Sequence, residues 1–308
     1  MDSQPGLTTW AITGSTGLVG RALLDALLDK DIRALYRKSR GSQAVHWIQG
    51  DLDSEQALAE LCDGRDVVVH VAGLTAGNKE ALHNVNVAGT ARLAKVAREA
   101  GVQHFVLISS QAAREEHLSN YAQSKAEGER AALHAAGEMK VSIIRPPAVL
   151  GADDPAMQPI LQALKFGLLP VPGVRHWRER RLSLVTADQL ARDIIDVAKS
   201  GADQPFEPAT VASFSWNDLA KAAGEQLGKN IATIPVPSAA LYGIGALADG
   251  LRALGWVGGV FGRGKAAEML HHDWSVHTDT ASQIKLAQAL APFLPPPSVP
   301  LSSDAAVH

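Results

Sequence analysis

The stretch that decides the fold is Thr13-Gly14-Ser15-Thr16-Gly17-Leu18-Val19-Gly20, a TGxxGxxG pattern near the N-terminus. An apolar run before it predicts a β-strand, and the pattern after it predicts a helix. In such a unit the glycines allow a tight turn, close approach of a pyrophosphate and close packing of helix on strand. The helix N-terminus adds amide donors and a partial positive charge. The alternative is a set of turn glycines without a ligand. The predicted phosphate-binding residues are Gly14, Ser15, Thr16, Gly17, Leu18 and Val19.

Short apolar runs alternate with helical patterns up to about residue 150. The predicted strands are Thr9–Thr13, Ile32–Tyr36, Val45–Gln49, Val67–Val71, Phe105–Ser109 and Val141–Arg145. The predicted helices are Leu18–Leu28, Lys79–Ala100 and Tyr121–Ala136. This alternation is typical of βαβ units, so we expect an α/β fold, a Rossmann doubly wound parallel sheet.

The pattern changes after Arg145, where prolines become frequent. We expect residues 1–150 to form the NAD(P)-binding domain, with parts of 175–200 joining its core. Residues 151–294 are predicted to form a smaller substrate-binding region. The Pro/Ser-rich residues 295–308 are predicted to be a disordered tail.

The residues after the second predicted strand bear on the choice of cofactor. An NAD-specific site usually has an acidic residue there for the ribose 2′-hydroxyl, but this chain has Arg37 and Lys38. An arginine can bind a 2′-phosphate with two hydrogen bonds. We therefore expect NADP, with NAD as the alternative cofactor and a solvated basic loop as the alternative role for these residues.

Asp51 and Leu52 follow the third predicted strand. Asp51 is placed to accept a hydrogen bond from the adenine amino group, with Leu52 against the ring. Asp51 could instead be only the N-terminal residue of a helix.

Several motifs occur together in a fixed order: TGSTGLVG, GDLD, VVHVAG, NVAGT, ISS, YAQSK, RPPAVLG and RLSLVTADQLA. With them the chain resembles the extended short-chain dehydrogenase/reductase superfamily, in particular the NAD-dependent epimerase/dehydratase and 3β-hydroxysteroid dehydrogenase type. The resemblance covers about residues 8–200 well and the rest loosely.

The resemblance implies roles for further residues. Asn86 would brace the cofactor and the lysine region, and Arg181 would lie where sugar-nucleotide epimerases hold a diphosphate. It also implies that a homodimer can form through a bundle containing the Tyr121 helix. The further residues implied to line the cofactor are Val71, Ala72, Gly73, Leu74, Ser109, Pro146 and Pro147.

Tyr121 and Lys125 form a YxxxK pattern that shares one face of a predicted helix. Hydride chemistry at a carbonyl or alcohol needs a partner for the oxygen's proton. We expect Tyr121 to be that acid/base, with a pKa lowered by the Lys125 ammonium and the positive nicotinamide. Lys125 should also hydrogen-bond the nicotinamide ribose. Family alignment assigns the substrate-holding hydroxyl to Ser110, with Ser109 as the alternative.

Other features limit the function. The net charge of −3 gives no indication of a nucleic-acid partner. The N-terminus has no signal-peptide pattern, and a cytoplasmic location is expected.

The apolar stretch from Ala239 to Phe261 is interrupted by Asp249, Arg252 and several glycines, so no integral membrane segment is predicted. We expect it to form a buried or lid-forming pair of helices, with peripheral membrane contact as the alternative.

Cysteine and histidine are the remaining residue types that could form a disulfide or bind a metal. The single cysteine, Cys62, excludes an intramolecular disulfide and is expected in the core. His271 and His272 lack a third ligand at metal-like spacing, so no metal site is predicted.

Three functions are compatible with these features. The first is an NADP-dependent oxidoreductase acting on a small or lipophilic hydroxyl/keto substrate, with Tyr121 as acid/base. The second is a nucleotide-sugar epimerase or dehydratase that retains its cofactor. The third is a non-catalytic NADP-binding regulatory or assembly protein. The presence of Ser110, Tyr121 and Lys125 together argues against it, because such a protein does not need a catalytic set.

Overall fold

The structure, a computed structural model, describes residues 9–27, 29–41, 44–151, 157–202, 204–255, 260–277, 284–294 and 296. Apart from residue 296, the predicted tail lies outside these residues.

A six-stranded sheet forms the centre of the N-terminal half. Its strands are β1 (Thr9–Thr13), β2 (Asp31–Tyr36), β3 (His46–Gln49), β4 (Val67–His70), β5 (His104–Ile108) and β6 (Lys140–Ile144). The strand order is β3-β2-β1-β4-β5-β6 and every pair is parallel. This is the strand order of a Rossmann fold, in which the order reverses between β1 and β4. The predicted fold class is confirmed.

Helices cover both faces of this sheet. They are α1 (Leu18–Ala26), α2 (Glu55–Cys62), α3 (Lys79–His83), α4 (Thr90–Glu99) and α5 (Asn120–Ala136), together with the later α7 (Ala187–Ser200). One face packs on α1 and α7, and the other on α2, α4 and α5. Because both faces are buried, the central strands are almost wholly apolar.

Two helical features differ from the prediction. The helix α2 was not predicted, although Ser54 caps it by accepting a hydrogen bond from Ala57 N. The predicted helix Lys79–Ala100 is interrupted by a π-helical turn at Asn84–Gly89, between α3 and α4. Such turns occur often at functional sites, and this one contains Asn86.

The C-terminal region has its own core. Its strands are β7 (Ala148–Leu150), β8 (Leu168–Pro172), β9 (Leu182–Thr186), β10 (Val211–Phe214) and β11 (Ala232–Val236). They form a three-stranded sheet, β10-β9-β7, and a two-stranded sheet, β11-β8. The remaining helices are α6 (Gln158–Lys165), α8 (Trp216–Leu227), α9 (Ser238–Ala253), α10 (Arg263–Leu270) and α11 (Leu286–Leu290). Leu164, Leu169 and Leu290 are among the fully buried residues of this second core.

The apolar stretch from 239 contains one long helix, α9, followed by α10. Only Leu241 and Gly245 are buried within α9, so of the two forms expected for this stretch, buried or lid-forming, the buried one is wrong for this helix. Much of its apolar surface faces outward, with Leu247 65% exposed. None of the helices in the described ranges is long and apolar enough to cross a membrane.

Candidate active site

The glycine loop joins β1 to α1 at the point where the strand order reverses. Gly14 has φ +71°, and a β-carbon there would lie 2.5 Å from the Ala72 nitrogen. A β-carbon on Gly20 would lie 2.2 Å from the Gly14 carbonyl oxygen. Glycine is therefore needed at both positions, once for the turn and once for the close approach of α1.

The middle of the loop is open to solvent. Thr16 and Gly17 are exposed, and Gly17 is the N-cap residue of α1. Ser15 is buried instead, and its hydroxyl donates to the carbonyl oxygens of Ile12 and Leu35, each at 3.1 Å. Only the main chain of Ser15 can therefore face a cofactor, while Thr16 and Gly17 leave room for a phosphate at the helix N-terminus.

The segment 71–74 continues from β4 beside the glycine loop. Ala72 N donates to Thr13 Oγ1 at 3.3 Å, which joins the segment to the end of β1. A β-carbon on Gly73 would lie 3.1 Å from Asn86 Oδ1 and 3.7 Å from Lys125 Nζ. The structure thus brings this segment together with Asn86 and Lys125.

Asn86 connects three elements through its side-chain amide. Its Oδ1 accepts from Leu74 N at 2.8 Å, and its Nδ2 donates to Leu74 O and to Ser124 Oγ, both at 2.9 Å. Because Asn86 is buried, these bonds fix the loop after β4 against the helix that carries Lys125.

The Ser110 side chain lies close enough to the Tyr121 phenol to lower its pKa. Ser110 follows the end of β5, and its Oγ also accepts from Ala112 N at 3.2 Å. Tyr121 stands in the first turn of α5, which Ser119 caps. The end of a central strand and the start of a long helix therefore hold the two hydroxyls together.

Lys125 lies one turn further along α5, and its Nζ donates to the Ile108 carbonyl oxygen at 2.8 Å. Burial lowers the pKa of Lys125 to about 8, against the opposing effect of the Glu129 carboxylate. An ammonium group has three donors, so the bond to Ile108 does not use all of its capacity.

The pKa of Tyr121 differs from the prediction. Burial raises it to about 12, the Ser110 hydrogen bond opposes this, and the Glu268 carboxylate raises it further. The prediction of a lowered pKa is wrong for the chain's own groups, because loss of hydration disfavours the phenolate more than the hydrogen bond stabilises it.

The Ser109 hydroxyl is held by Glu129 of α5. This hydroxyl donates to Glu129 Oε1 at 2.5 Å, and Arg145 binds the same carboxylate through Nε at 2.9 Å and Nη2 at 2.5 Å. The alternative assignment of the substrate-holding hydroxyl to Ser109 is therefore not supported, because that hydroxyl is already bound to a buried carboxylate.

The residues predicted to bind the adenosine part of the cofactor follow β2 and β3. Arg37 and Lys38 are exposed directly after β2, two residues beyond the Leu35 carbonyl to which Ser15 is bonded. Asp51 Oδ1 accepts from Asp53 N at 2.9 Å within a turn. Because Ser54 is the N-cap of α2, Asp51 is not the helix N-terminal residue of the alternative interpretation.

The segment after β6 closes the site from the other side. The Pro146 carbonyl oxygen accepts from Gln111 N at 2.9 Å, and Pro147 is buried. A β-carbon on Gly151 would lie 2.3 Å from Leu18 Cδ1, so β7 leads back to the glycine loop.

Arg181 has contacts within the C-terminal region. Its Nη1 lies 3.9 Å from Asp218 Oδ2, and its main chain pairs with His272 and Trp274. These contacts orient Arg181 toward the N-terminus of α8.

Sequence reasoning missed Glu268, a buried residue of α10. Its Oε1 accepts from Ser119 Oγ at 2.6 Å, and its Oε2 lies 3.1 Å from Lys265 Nζ. Glu268 is 149 residues from Ser119 in the chain, so no local pattern could have paired them.

His70 was also missed, although it ends the buried strand β4. Its Nδ1 lies 2.6 Å from Thr13 Oγ1 and its Nε2 lies 3.0 Å from Thr90 Oγ1. Burial lowers the pKa of His70 to about 3, and the Lys125 ammonium contributes. His70 is therefore a neutral structural residue beneath the site.

Cys62 and His271, for which the sequence predicts no metal-binding or reactive role, have the following surroundings. Burial raises the pKa of the Cys62 thiol to about 12, so the thiol stays protonated in the core. The His271 ring lies 4.5 Å from the Trp274 ring. Within the described ranges, no three His, Cys, Asp or Glu side chains are grouped to hold a metal ion.

Comparisons with known proteins agree with this arrangement. The sequence model of the NAD dependent epimerase/dehydratase family matches residues 10–164. The chain belongs to this family. The family match covers the sheet, the glycine loop and the Tyr121 helix.

Two characterised relatives show the degree of similarity. The chain is 34% identical to the ceramide reductase of Caulobacter vibrioides over 276 residues, which cover 86% of this chain and 85% of that protein. It is 33% identical to the 4-hydroxy-2-methyl-3-oxo-4-farnesyl-3,4-dihydroquinoline-1-oxide ketoreductase of Stigmatella aurantiaca over 176 residues, which cover 49% of this chain and 53% of that protein.

A solved structure, MoeE5 in complex with UDP-glucose and NAD, shares the fold with a TM-score of 0.63 at 22% identity. The match covers 75% of this chain and 85% of that chain. As a member of the epimerase/dehydratase family, the protein is an NAD(P)-dependent enzyme of the extended short-chain dehydrogenase/reductase type, an oxidoreductase or an epimerase.

Proposed function

We propose that the protein is a reductase that transfers hydride from NADPH to the carbonyl group of a lipophilic substrate and catalyses the reverse oxidation. Tyr121 is the acid/base, Ser110 holds the substrate oxygen, and Lys125 binds the nicotinamide ribose. The observation that carries the proposal is the closeness of the Ser110 and Tyr121 side chains, with the half-buried Lys125 one turn further along the same helix.

The chain's own groups fit a dinucleotide. A loop that excludes β-carbons at Gly14 and Gly20 lies at the helix N-terminus of α1, where the strand order reverses. Such a position is the usual site of a pyrophosphate in this fold. When bound, the cofactor would supply or accept the hydride.

Ser110, Tyr121 and Lys125 have different roles in the reduction. Ser110 donates a hydrogen bond to the substrate carbonyl oxygen, and Tyr121 gives its phenolic proton to that oxygen as negative charge develops. A pKa raised to about 12 keeps the phenol protonated at neutral pH, so Tyr121 is ready to act as an acid. Lys125 can donate to the ribose and place its positive charge near the resulting phenolate.

Arg37 supports NADP over NAD. It is exposed at the end of β2, where an acidic residue would bind a ribose 2′-hydroxyl in an NAD-specific site. A guanidinium can make charge-assisted hydrogen bonds to a 2′-phosphate. NADP is therefore the proposed cofactor.

The relatives support a lipophilic substrate. One relative, which matches 86% of the chain, is a ceramide reductase, and another, which matches 49% of it, is a ketoreductase of a farnesylated compound. The epimerase alternative requires Arg181 to bind a substrate diphosphate, but this side chain is oriented toward Asp218. Net reduction is thus the better-supported reaction.

A substrate screen tests the proposal. Purified protein is mixed with NADPH or NADH and long-chain ketones, including keto derivatives of ceramide, and the loss of reduced nicotinamide is followed by absorbance. Net turnover of a lipophilic ketone with NADPH is expected. Tight retention of the cofactor without net turnover, combined with epimerisation of a UDP-sugar, would contradict the proposal.

A further inference from the structure

The helix α9 has an outer face without charge. Its only charged residues are Asp249 and Arg252, which are half-buried and bonded to each other at 2.8 Å. Helical periodicity places Leu241, Gly245 and Arg252 on the inner face. The opposite face consists only of apolar residues and glycine. We call this surface the apolar face of α9, and it includes Ala240, Gly243, Ile244, Leu247, Gly250 and the C-cap residue Leu254.

The large side chains on the apolar face of α9 are mostly exposed to solvent. Ile244 is 55% exposed, Leu247 65% and Leu254 69%. Scattered exposed apolar side chains are normal, but several of them along one helix mark an interaction surface.

The apolar surface adjoins a second one. The sheet β8–β11 precedes α9, and its outward residues are also apolar, with Leu168 opposite Ala232 and Pro170 opposite Ile234. All four are exposed, and Pro237 directly joins this sheet to α9.

Exposed cations lie next to the start of α9. Gly173 N donates to the Val236 carbonyl oxygen at 2.8 Å, so the loop after β8 begins beside the residue before Pro237. Arg175 and Arg178 of this loop are exposed. Residues 175–181 contain four arginines and one acid, the exposed Glu179, while the whole chain carries a net charge of −3, so this segment is a local departure from the overall charge.

We propose that α9 docks in the plane of a lipid bilayer that contains anionic lipids. A helix of 16 residues is about 24 Å long. An uncharged face on such a helix inserts between headgroups and acyl chains, while neighbouring cations attract anionic headgroups. This inference concerns a surface outside the active site and does not depend on the proposed reaction.

The helix also connects to the candidate active site. The next helix, α10, packs against it, because a β-carbon on Gly245 would lie 2.7 Å from the Arg263 nitrogen. The same α10 carries Glu268, which binds Ser119 at the start of the Tyr121 helix. A membrane-bound α9 would hold this end of the active site close to the bilayer.

Vesicle co-sedimentation of the full chain tests the proposal. Vesicles of phosphatidylcholine alone are compared with vesicles containing one part phosphatidylglycerol in about four, at low and high salt. We expect binding to the anionic vesicles, weakened by salt. The double variant Ile244→Asp/Leu247→Asp should lower the partition coefficient by at least about tenfold, because two inserted apolar side chains are replaced by charges.

Two further variants make the test specific. Leu133→Asp changes a residue of α5 that is 51% exposed and should leave vesicle binding unchanged. Arg175→Glu/Arg178→Glu should remove most of the preference for anionic vesicles. Because all these positions are exposed, the variants should keep the thermal unfolding midpoint of the wild type.

Any of three results would overturn the proposal. The first is a wild-type protein that does not sediment with anionic vesicles, and the second is a double variant that binds as well as the wild type. The third is a stable dimer in sedimentation velocity that Ile244→Asp/Leu247→Asp dissociates, without vesicle binding. The third result would assign the apolar face of α9 to a second copy of the chain.

Discussion

Ser119 donates a 2.6 Å hydrogen bond to the buried carboxylate of Glu268 and thereby joins the start of the Tyr121 helix to the C-terminal region. The Ser119 hydroxyl also accepts from Ala122 N at 2.9 Å, which caps α5. The same carboxylate contributes to the raised pKa of Tyr121. Glu268 is thus a positioning residue that acts on the acid/base through both geometry and charge.

Replacing Glu268 by Gln should lower the pKa of Tyr121, because a negative charge near the phenol is removed. Oxidation requires the phenolate, so its rate rises with pH toward the Tyr121 pKa. We expect this rise to move to lower pH in Glu268→Gln. The pH profile of kcat measures the shift, and Glu127→Gln on the same helix as Tyr121 is the control. A profile that coincides with that of the wild type would remove Glu268 from this role.

The two adjacent serines should respond differently to alanine substitution. Ser110→Ala removes a hydroxyl that bonds Tyr121 and should lower kcat by about tenfold or more, as for a single hydrogen bond to the reacting oxygen. Ser109→Ala breaks a bond to Glu129 and should lower the free energy of unfolding by about 1 kcal/mol, with a smaller effect on kcat. Steady-state kinetics and urea unfolding of both variants decide between them. The reverse pattern would assign the substrate oxygen to Ser109.

The Rossmann half of the protein was predictable because its signals are local. The strand before Gly14, the φ-positive turn and the packing of Gly20 belong to one continuous stretch, and the predicted strands differ from the observed ones by only one or two residues. The π-helical turn around Asn86 was not predictable, since helical periodicity alone does not distinguish it from α-helix.

The details of the site depend on contacts between distant residues. The rise of the Tyr121 pKa comes from burial and from Glu268 in α10, neither of which a YxxxK pattern indicates. The position of the Ser109 hydroxyl depends on Glu129, which lies 20 residues further along the chain on α5. The sequence left the exposure of α9 open, because an apolar stretch fits a buried helix, a lid or a membrane contact.

His70 should make the protein less stable in acid. Its pKa is about 3 in the folded protein and 6.5 in the unfolded chain, so between these values the unfolded chain binds more protons. The free energy of unfolding therefore falls as the pH falls through this window, by about 2 kcal/mol between pH 6.5 and pH 5. His70→Gln keeps a hydrogen-bonding side chain but cannot be protonated, and should lose this component. Urea unfolding of both proteins at the two pH values measures it, and equal pH dependence would contradict the assignment.

Arg37 should determine the preference between the two nicotinamide cofactors. Arg37→Ala should weaken NADPH binding by about 1–3 kcal/mol and leave NADH binding nearly unchanged, because only NADPH has the 2′-phosphate. Titration calorimetry with both cofactors measures this, and Arg40→Ala, a change at another exposed arginine of the same loop, is the control. Equal affinity of the wild type for both cofactors would contradict the proposed NADP preference.

The most direct test of the proposed mechanism is the turnover of Tyr121→Phe with NADPH and a lipophilic ketone that the wild type reduces. The change keeps the ring and its packing but removes the phenolic proton. We expect kcat to fall by roughly 10²–10⁴, the usual contribution of a positioned acid, while the Kd for NADPH stays within about twofold of the wild-type value. A variant that keeps near-normal kcat on this substrate would contradict the assignment of Tyr121 as the proton donor.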